Sequence, residues 1–246
     1  METVVNVKNL VKKFGSFVAN DHLNFEVYKG EIFGFLGANG AGKTTAIKIL
    51  CGLSKPSSGS IMVAGFDVYR ESEKIKKNIG YMSQKFSLYD DLSIAENIRF
   101  YGGIYGLTTP KIKEITENYI HELQLQNYTK SMVGELPLGI KQKLAFSIAV
   151  MHQPRIVFLD EPTSGVDPIT RRQFWELIYS EAAKGTTLFV TTHYMDEAEY
   201  CHRVSIMVDG RIDALGSPVQ LKQQYEAKSM EEVFIKLARK AKRSDG

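Results

Sequence analysis

The stretch GANGAGKTT, residues 37–45, limits what this 246-residue chain can fold into more than any other. It satisfies the pattern G-x-x-x-x-G-K-[ST]. Before it runs IFGFL, residues 32–36, an apolar segment that reads as a buried strand, and from about Gly42 the sequence reads as a helix. Strand, glycine-rich turn and helix N-terminus in that order aim successive backbone amides at one point and add the partial positive charge of the helix end. Such a cradle suits a phosphate chain. Gly37, Ala38, Asn39, Gly40, Ala41 and Gly42 supply the curled backbone, Lys43 bridges the β- and γ-phosphates, Thr44 is placed to ligate Mg²⁺, and Thr45 closes the motif.

Two further apolar runs read as buried strands: RIVFLDEP at residues 155–162 and TTLFVTTH at residues 186–193. Alternation with helical segments implies a parallel sheet whose ligands gather at the strands' carboxyl ends. Short alternating segments at residues 4–7 and 23–27 suggest antiparallel strands, and IMVAG, after the turn-forming KPSSGS, suggests another. The middle third, residues 92–151, is helical in pattern and looks like an insertion. The fold expected is therefore α/β: a P-loop NTPase core with a mixed sheet, an amino-terminal antiparallel β subdomain, and a helical subdomain inserted at about residues 86–151. One nucleotide-binding domain over residues 1–228 would be followed by a helix and basic tail at 229–246.

In IVFLDE, residues 156–161, four apolar residues carry an acid to a strand end. Asp160 stands beside the phosphate loop if the two strands are neighbours, and there it holds Mg²⁺ directly or through water. Strand alternation turns Glu161 away from Asp160, leaving it free to polarise an attacking water and accept its proton as a catalytic base. The plainer reading of Glu161 is a helix cap or a surface acid.

Composition removes other classes. Cys51 and Cys201 are too few for a disulfide framework and suit a reducing compartment. No apolar run reaches the ~18 residues of a membrane span, and METVVNVKNLVKKFG lacks the apolar core of a signal peptide, so any membrane link is expected to go through a partner. The net charge of +3 leans on Lys236, Arg239, Lys240, Lys242 and Arg243, and no nucleic-acid partner is expected from it. The absence of an N-K-x-D tetrad disfavours a GTPase.

GANGAGKTT, Gln84 in YMSQK, LDEPTSGVDP and the TTH ending at His193, in that order, resemble the motifs of ATP-binding cassette (ABC) ATPases over about residues 4–225. SGVDPITRRQFW and LPLGIKQKL are similar to the exporter-type (ABC-2) cassettes that work with a separate permease. The resemblance implies that Gln84 touches Mg²⁺ or the lytic water, that His193 contacts the γ-phosphate, and that Phe14 stacks on adenine. It also implies that Ser164, Gly165, Val166 and Asp167 cross a dimer interface, where Asp167 helps to align the opposite site. Each has a plainer reading: a solvated Gln84, a structural His193, Phe14 or Phe17 packed beneath the sheet, and SGVDP as a turn capping the helix from Pro168.

The family's Leu-Ser-Gly-Gly-Gln clamp, which closes over the partner's γ-phosphate, corresponds here to Leu136, Pro137, Leu138, Gly139 and Ile140. Pro137 has neither hydroxyl nor amide hydrogen, so the amides of Leu138 and Gly139 and the helix end are left to grip phosphate, an altered clamp.

The function implied is an ATP-binding and hydrolysing subunit that energises export through ATP-driven pairing with a second cassette, as a homo- or heterodimer. A transmembrane permease would hold it at the cytoplasmic face of the membrane. Phe86 and Tyr89, in the aromatic segment 85–106, are the candidate permease contacts. The alternatives are a soluble ABC ATPase of translation or repair, and a degenerate cassette of a heterodimer. Met230, Val233, Phe234 and Leu237 form one apolar helix face, expected to dock on the chain's own domain.

Overall fold

The computed structural model describes residues 2–85 and 87–244, with side chains described as far as Arg239. Strands β1 (Thr3–Phe14), β2 (Phe17–Tyr28), β4 (Ser58–Val63) and β5 (Phe66–Asp67) form an antiparallel sheet in the order β2-β1-β4-β5. Both β1 and β2 run much further than the alternating cores of their sequences suggest. Register shifts along their ladder let the two keep pairing past the irregular stretches, from Thr3 opposite Tyr28 to Phe14 opposite Phe17.

A second sheet contains β3 (Ile32–Gly37), β6 (Ile79–Met82), β7 (Ile156–Asp160), β8 (Thr187–Thr192), β9 (Arg203–Val208) and β10 (Arg211–Gly216) in the order β10-β9-β3-β8-β7-β6. All neighbours pair in parallel except β10, which folds back on β9. Every residue of β3, β7 and β8 is buried. Their unbroken apolar character follows from cover on both faces, as in other parallel sheets.

On one face the two sheets meet through aromatic rings. Phe25 of β2 lies 5.8, 5.4 and 6.2 Å from Phe33, Phe35 and Phe189, and Phe158 lies 5.3 Å from Phe189. Helix α1 (Lys43–Leu50) packs on this side through Ala46, Ile47, Ile49 and Leu50. The opposite face is covered by Phe174, Trp175 and Ile178 of α6 (Pro168–Ala183) and by Met230, Val233 and Leu237 of α8 (Met230–Ser244). Phe234 is partly buried against the same core. The terminal helix therefore docks its apolar stripe on the chain's own domain, and no helix among the described residues is long and apolar enough to cross a membrane.

Beyond the short helix α2 (Ser72–Asn78), helices α3 (Ile94–Ile104), α4 (Thr109–Glu122) and α5 (Leu138–Val150) surround a separate core of Ile94, Ile98, Ile115, Leu144 and Ile148. A capping box between Ser93 and Glu96 starts α3, and Pro110 sits in the first turn of α4. This block is seated tightly on the sheet. A Cβ on Gly80 of β6 would lie 2.1 Å from the carbonyl oxygen of Ala149, so the strand reaches α5 only without a side chain there. Beside it, the rings of Tyr105 and His152 stack at 3.7 Å and 10°, with His152 Nε2 3.0 Å from the carbonyl oxygen of Ile79. Burial holds the His152 imidazole below its ordinary pKa.

Phe189 touches four rings from three other strands. Phe189→Ala is expected to cost about 3–5 kcal/mol in urea unfolding. A loss under about 1 kcal/mol would mean that the sheets are not held together through this cluster.

Candidate functional site at the strand ends

Residues 38–42 link β3 to α1. Gly42 is the N-cap of α1 at φ 98°, and no side chain caps the helix, which leaves its leading amides open toward a ligand. The loop is pinned from the other sheet: Asn20, fully buried in β2, donates from Nδ2 to the Gly42 carbonyl at 3.1 Å. A Cβ on Gly42 would lie 2.2 Å from the Ala19 carbonyl oxygen.

Lys43 is 4% exposed. Its Nζ donates to the carbonyl oxygens of Gly37 and Ala38 at 2.8 and 3.0 Å and lies 3.4 Å from Oε1 of Glu161. Burial pulls the Lys43 pKa down, and the Glu161 carboxylate opposes that shift.

The strand that leads into the phosphate loop, β3, and the strand that ends at Asp160, β7, are not the neighbours that their sequences suggest, because β8 lies between them. Thr191 of β8 bridges the gap. Its hydroxyl donates to Asp160 Oδ1 at 2.7 Å, and Thr44 Oγ1 donates to the same oxygen at 3.3 Å. Burial pushes the Asp160 pKa up, and the two threonine bonds pull it back. Thr44 and Asp160 present hard oxygen donors, and no group of three His, Cys, Asp or Glu residues among the described ones could hold a metal. That donor set fits Mg²⁺, which usually takes one or two protein oxygens and completes its shell with phosphates and water.

Glu161 lies beyond the end of β7 with φ 50°, and its amide is held by both the carbonyl and the hydroxyl of Thr191 at 3.1 and 2.9 Å. A left-handed backbone turn, rather than strand alternation, parts it from Asp160. Gln84 Nε2 donates to Glu161 Oε2 at 3.1 Å, and His193 Nδ1 lies 3.2 Å from that oxygen. Lys43 from the start of α1, and Gln84 and His193 from just beyond β6 and β8, thus converge on one carboxylate. The sequence supplied no direct sign of this convergence. Asn20 and Thr191 were also missed; a polar Thr191 in the fully buried β8 is a signal that its side chain holds something, whereas Asn20 lies in the partly exposed β2 and carries no such signal.

An adjoining cleft of about 270 Å³ is lined by Phe17, Asn39, Gly40, Thr45, Gln84 and Glu161, among others. Phe17 is the hairpin aromatic in that lining; Phe14, paired with it across the hairpin, carries Lys12 Nζ at 4.8 Å from its ring centroid. Ala41 is buried beneath the loop.

Leu138, Gly139 and Asp167 do not line this cleft and instead gather where α5 and α6 begin. Pro137 is the N-cap of α5. A Cβ on Gly139 would lie 2.6 Å from the Thr170 methyl, and Leu138 approaches to 3.6 Å of the Cβ position of Gly165. Asp167 caps α6, accepting from the amides of Ile169 and Thr170 at 3.0 Å each and from the Thr170 hydroxyl at 2.6 Å. Those bonds lower its pKa. Phe86 lies outside the described residues; Tyr89 is exposed and packs edge-on against Phe100 at 4.7 Å.

The family model described as ABC transporter matches residues 20–164, and the chain belongs to that family. The class so defined is that of the ATP-binding cassette ATPases. The chain is 49% identical over 241 residues to the probable multidrug ABC transporter ATP-binding protein YbhF of Escherichia coli (strain K12), which covers 96% of this chain but 42% of that protein. This chain thus spans less than half of that relative. It is 35% identical to the Nod factor export ATP-binding protein I of Rhizobium sp. (strain N33), over 95% of this chain and 77% of that protein. A solved ATP-binding subunit of an ABC transporter superposes with a TM-score of 0.86 at 27% identity, covering 96% of this chain and 99% of the other.

Gly42→Ala sets the new methyl against the Ala19 carbonyl and strains the backbone. Titration with a fluorescent ATP analogue is expected to show affinity reduced about tenfold or more, the loss of one or two charge-assisted hydrogen bonds. Gly40→Ala also strains the backbone, at φ 83°, but meets no atom within 4 Å and should lose less. Equal losses in the two variants would contradict the pinning of the loop by β2.

Proposed function

We propose that the chain is the ATP-hydrolysing subunit of an exporter-type ABC transporter. The observation that carries this reading is the convergence of Lys43, Gln84 and His193 on Glu161, beside a phosphate-loop cleft. Open amides at the start of α1 and the Lys43 ammonium bind the phosphate chain, and an aromatic at the hairpin end, Phe14 or the cleft-lining Phe17, meets the adenine ring. Thr44, Asp160 and Gln84 would hold Mg²⁺, and the ion would offset the phosphate charge.

Glu161 is the general base. Its carboxylate lies 3.4 Å from the Lys43 ammonium, so a γ-phosphate competes for the same ammonium and frees the carboxylate to accept a proton from water. His193 orients that water and the γ-phosphate from the opposite side. The residues that complete a site lie elsewhere on the same molecule, which supports pairing with a second cassette. The exposed amides at the start of α5 and the Asp167 turn of one copy would close over the phosphate loop of the other. Pro137 removes one hydroxyl and one amide donor from that closure, a loss of about 1.5–3 kcal/mol for a charge-assisted bond.

The names of the bacterial relatives, a probable multidrug ABC transporter ATP-binding protein and a Nod factor export ATP-binding protein, support an export role. On this reading a transmembrane permease is the partner and holds the chain at the cytoplasmic face of the membrane. The exposed Tyr89 and Phe100 of the helical block, which we read as an inserted subdomain, offer that partner an aromatic surface.

Glu161→Gln is expected to keep MgATP binding while lowering phosphate release at least ~100-fold, and to accumulate a dimer in size-exclusion runs with ATP. Undiminished turnover would remove Glu161 from the mechanism. Pro137→Ser combined with Leu138→Gly should strengthen ATP-dependent dimerisation about tenfold, as measured by analytical ultracentrifugation. An unchanged or weaker dimer would contradict the clamp assigned to that turn.

A further inference from the structure

We infer that Arg171 and Glu197 are positioning residues, an ion pair that sets the loop bearing Glu161 against the loop bearing His193. The inference rests on the ATPase reading above and adds two residues to it.

Glu197 belongs to the short 3-10 turn Met195–Tyr200, which follows His193, and it is fully buried. Its Oε1 accepts a 2.6 Å hydrogen bond from the hydroxyl of Thr163, two residues beyond Glu161. Arg171 stands in the first turns of α6, its amide donating to the Asp167 carbonyl at 3.0 Å. Its Nε lies 3.7 Å from that same Glu197 oxygen, and Nη1 lies 3.6 Å from Asp196 Oδ2. The flat face of the guanidinium covers the Tyr194 ring at 3.9 Å, and the Tyr194 ring lies 4.1 Å from that of His193.

From the first turns of the helix that follows the β7 segment, the Arg171 guanidinium therefore reaches the segment after β8 at Tyr194, Asp196 and Glu197, and Glu197 in turn holds the segment after β7 through Thr163. The reacting groups of those two segments, Glu161 and His193, are only 3.2 Å apart. A relative slip of about 1 Å at such a distance can lower a rate ~100-fold.

Folding stability alone gives a poor account of the pair. A buried charge pair gains little over apolar packing unless its remaining polar atoms are bonded. Here Arg171 Nε and Glu197 Oε2 are buried without a hydrogen-bond partner among the described residues. The arrangement fits geometry-setting better: the Tyr194 stack and the Thr163 bond are directional, and each lies one or two residues from a group assigned to the chemistry.

The test uses the full chain with Arg171→Met, which keeps the apolar stem, Glu197→Gln, which keeps an acceptor for Thr163, and the double variant. Arg171→Met leaves the buried Glu197 carboxylate without its cation and is expected to lower Tm, whereas the double variant removes both charges and keeps Tm close to wild type. MgATP affinity and KM are expected to stay close to wild type in all three while kcat falls about tenfold or more in each single variant, and the double variant falls no further, because the two act as one unit. The inference is overturned by an unchanged kcat, by losses that multiply in the double variant, or by kcat, affinity and Tm falling together as for a folding defect. A wild-type chain that neither binds nor turns over MgATP is a different result: it removes the ATPase reading and this inference with it.

Discussion

An ammonium group shut away from water governs this structure. Lys43 is nearly inaccessible and its burial disfavours the charged form, so the fold has to supply oxygen atoms to it. Two come from backbone carbonyls of its own loop and one from Glu161. The last obliges the end of β7 to come within ion-pair distance of the beginning of α1. Once Glu161 is there, Gln84 and His193 meet it, because β6 and β8 flank β7 in the sheet. A partly compensated charge is also an attractive place for phosphate, whose oxygens satisfy the ammonium better than one carboxylate does.

The antiparallel sheet is part of the same solution. Its aromatic contact with the parallel sheet fixes β2 against β3, which puts Ala19 and Asn20 beneath the phosphate loop. Gly42 is then the only residue type that fits between the Ala19 carbonyl and the first turn of α1. Packing far from the cleft is thereby converted into the path of the loop.

Much of this was legible in the sequence because local patterns carried it. The phosphate loop announced itself by spacing, and the unbroken apolar runs of β3, β7 and β8 reflected burial on both faces. What stayed hidden was mostly nonlocal. No local pattern could say that β8 separates β3 from β7, or that Thr191 would join them. Strand alternation does not govern Glu161, which lies beyond the end of β7 with a left-handed backbone set by two contacts with Thr191 on another strand. The pair β9 and β10 was legible and overlooked: Asp209 and Gly210, both with positive φ, sit between two alternating runs, a strong hairpin signature. The choice between Phe14 and Phe17 turns on which way a hairpin end faces, which alternation cannot fix once the register shifts.

The seat of the helical block has a mechanical meaning. Gly80 admits the Ala149 backbone into the flank of β6, while the Tyr105 and His152 rings lie flat against each other beside Ile79, only a few residues ahead of Gln84. There is no slack at this joint: no side chain at Gly80 that could rotate away, and no gap between the rings for a neighbour to slide into. Helix α5 and the stacked rings are therefore fastened, with nothing compressible between, to the strand that leads to the glutamine, and the helical block and that strand share one rigid seat.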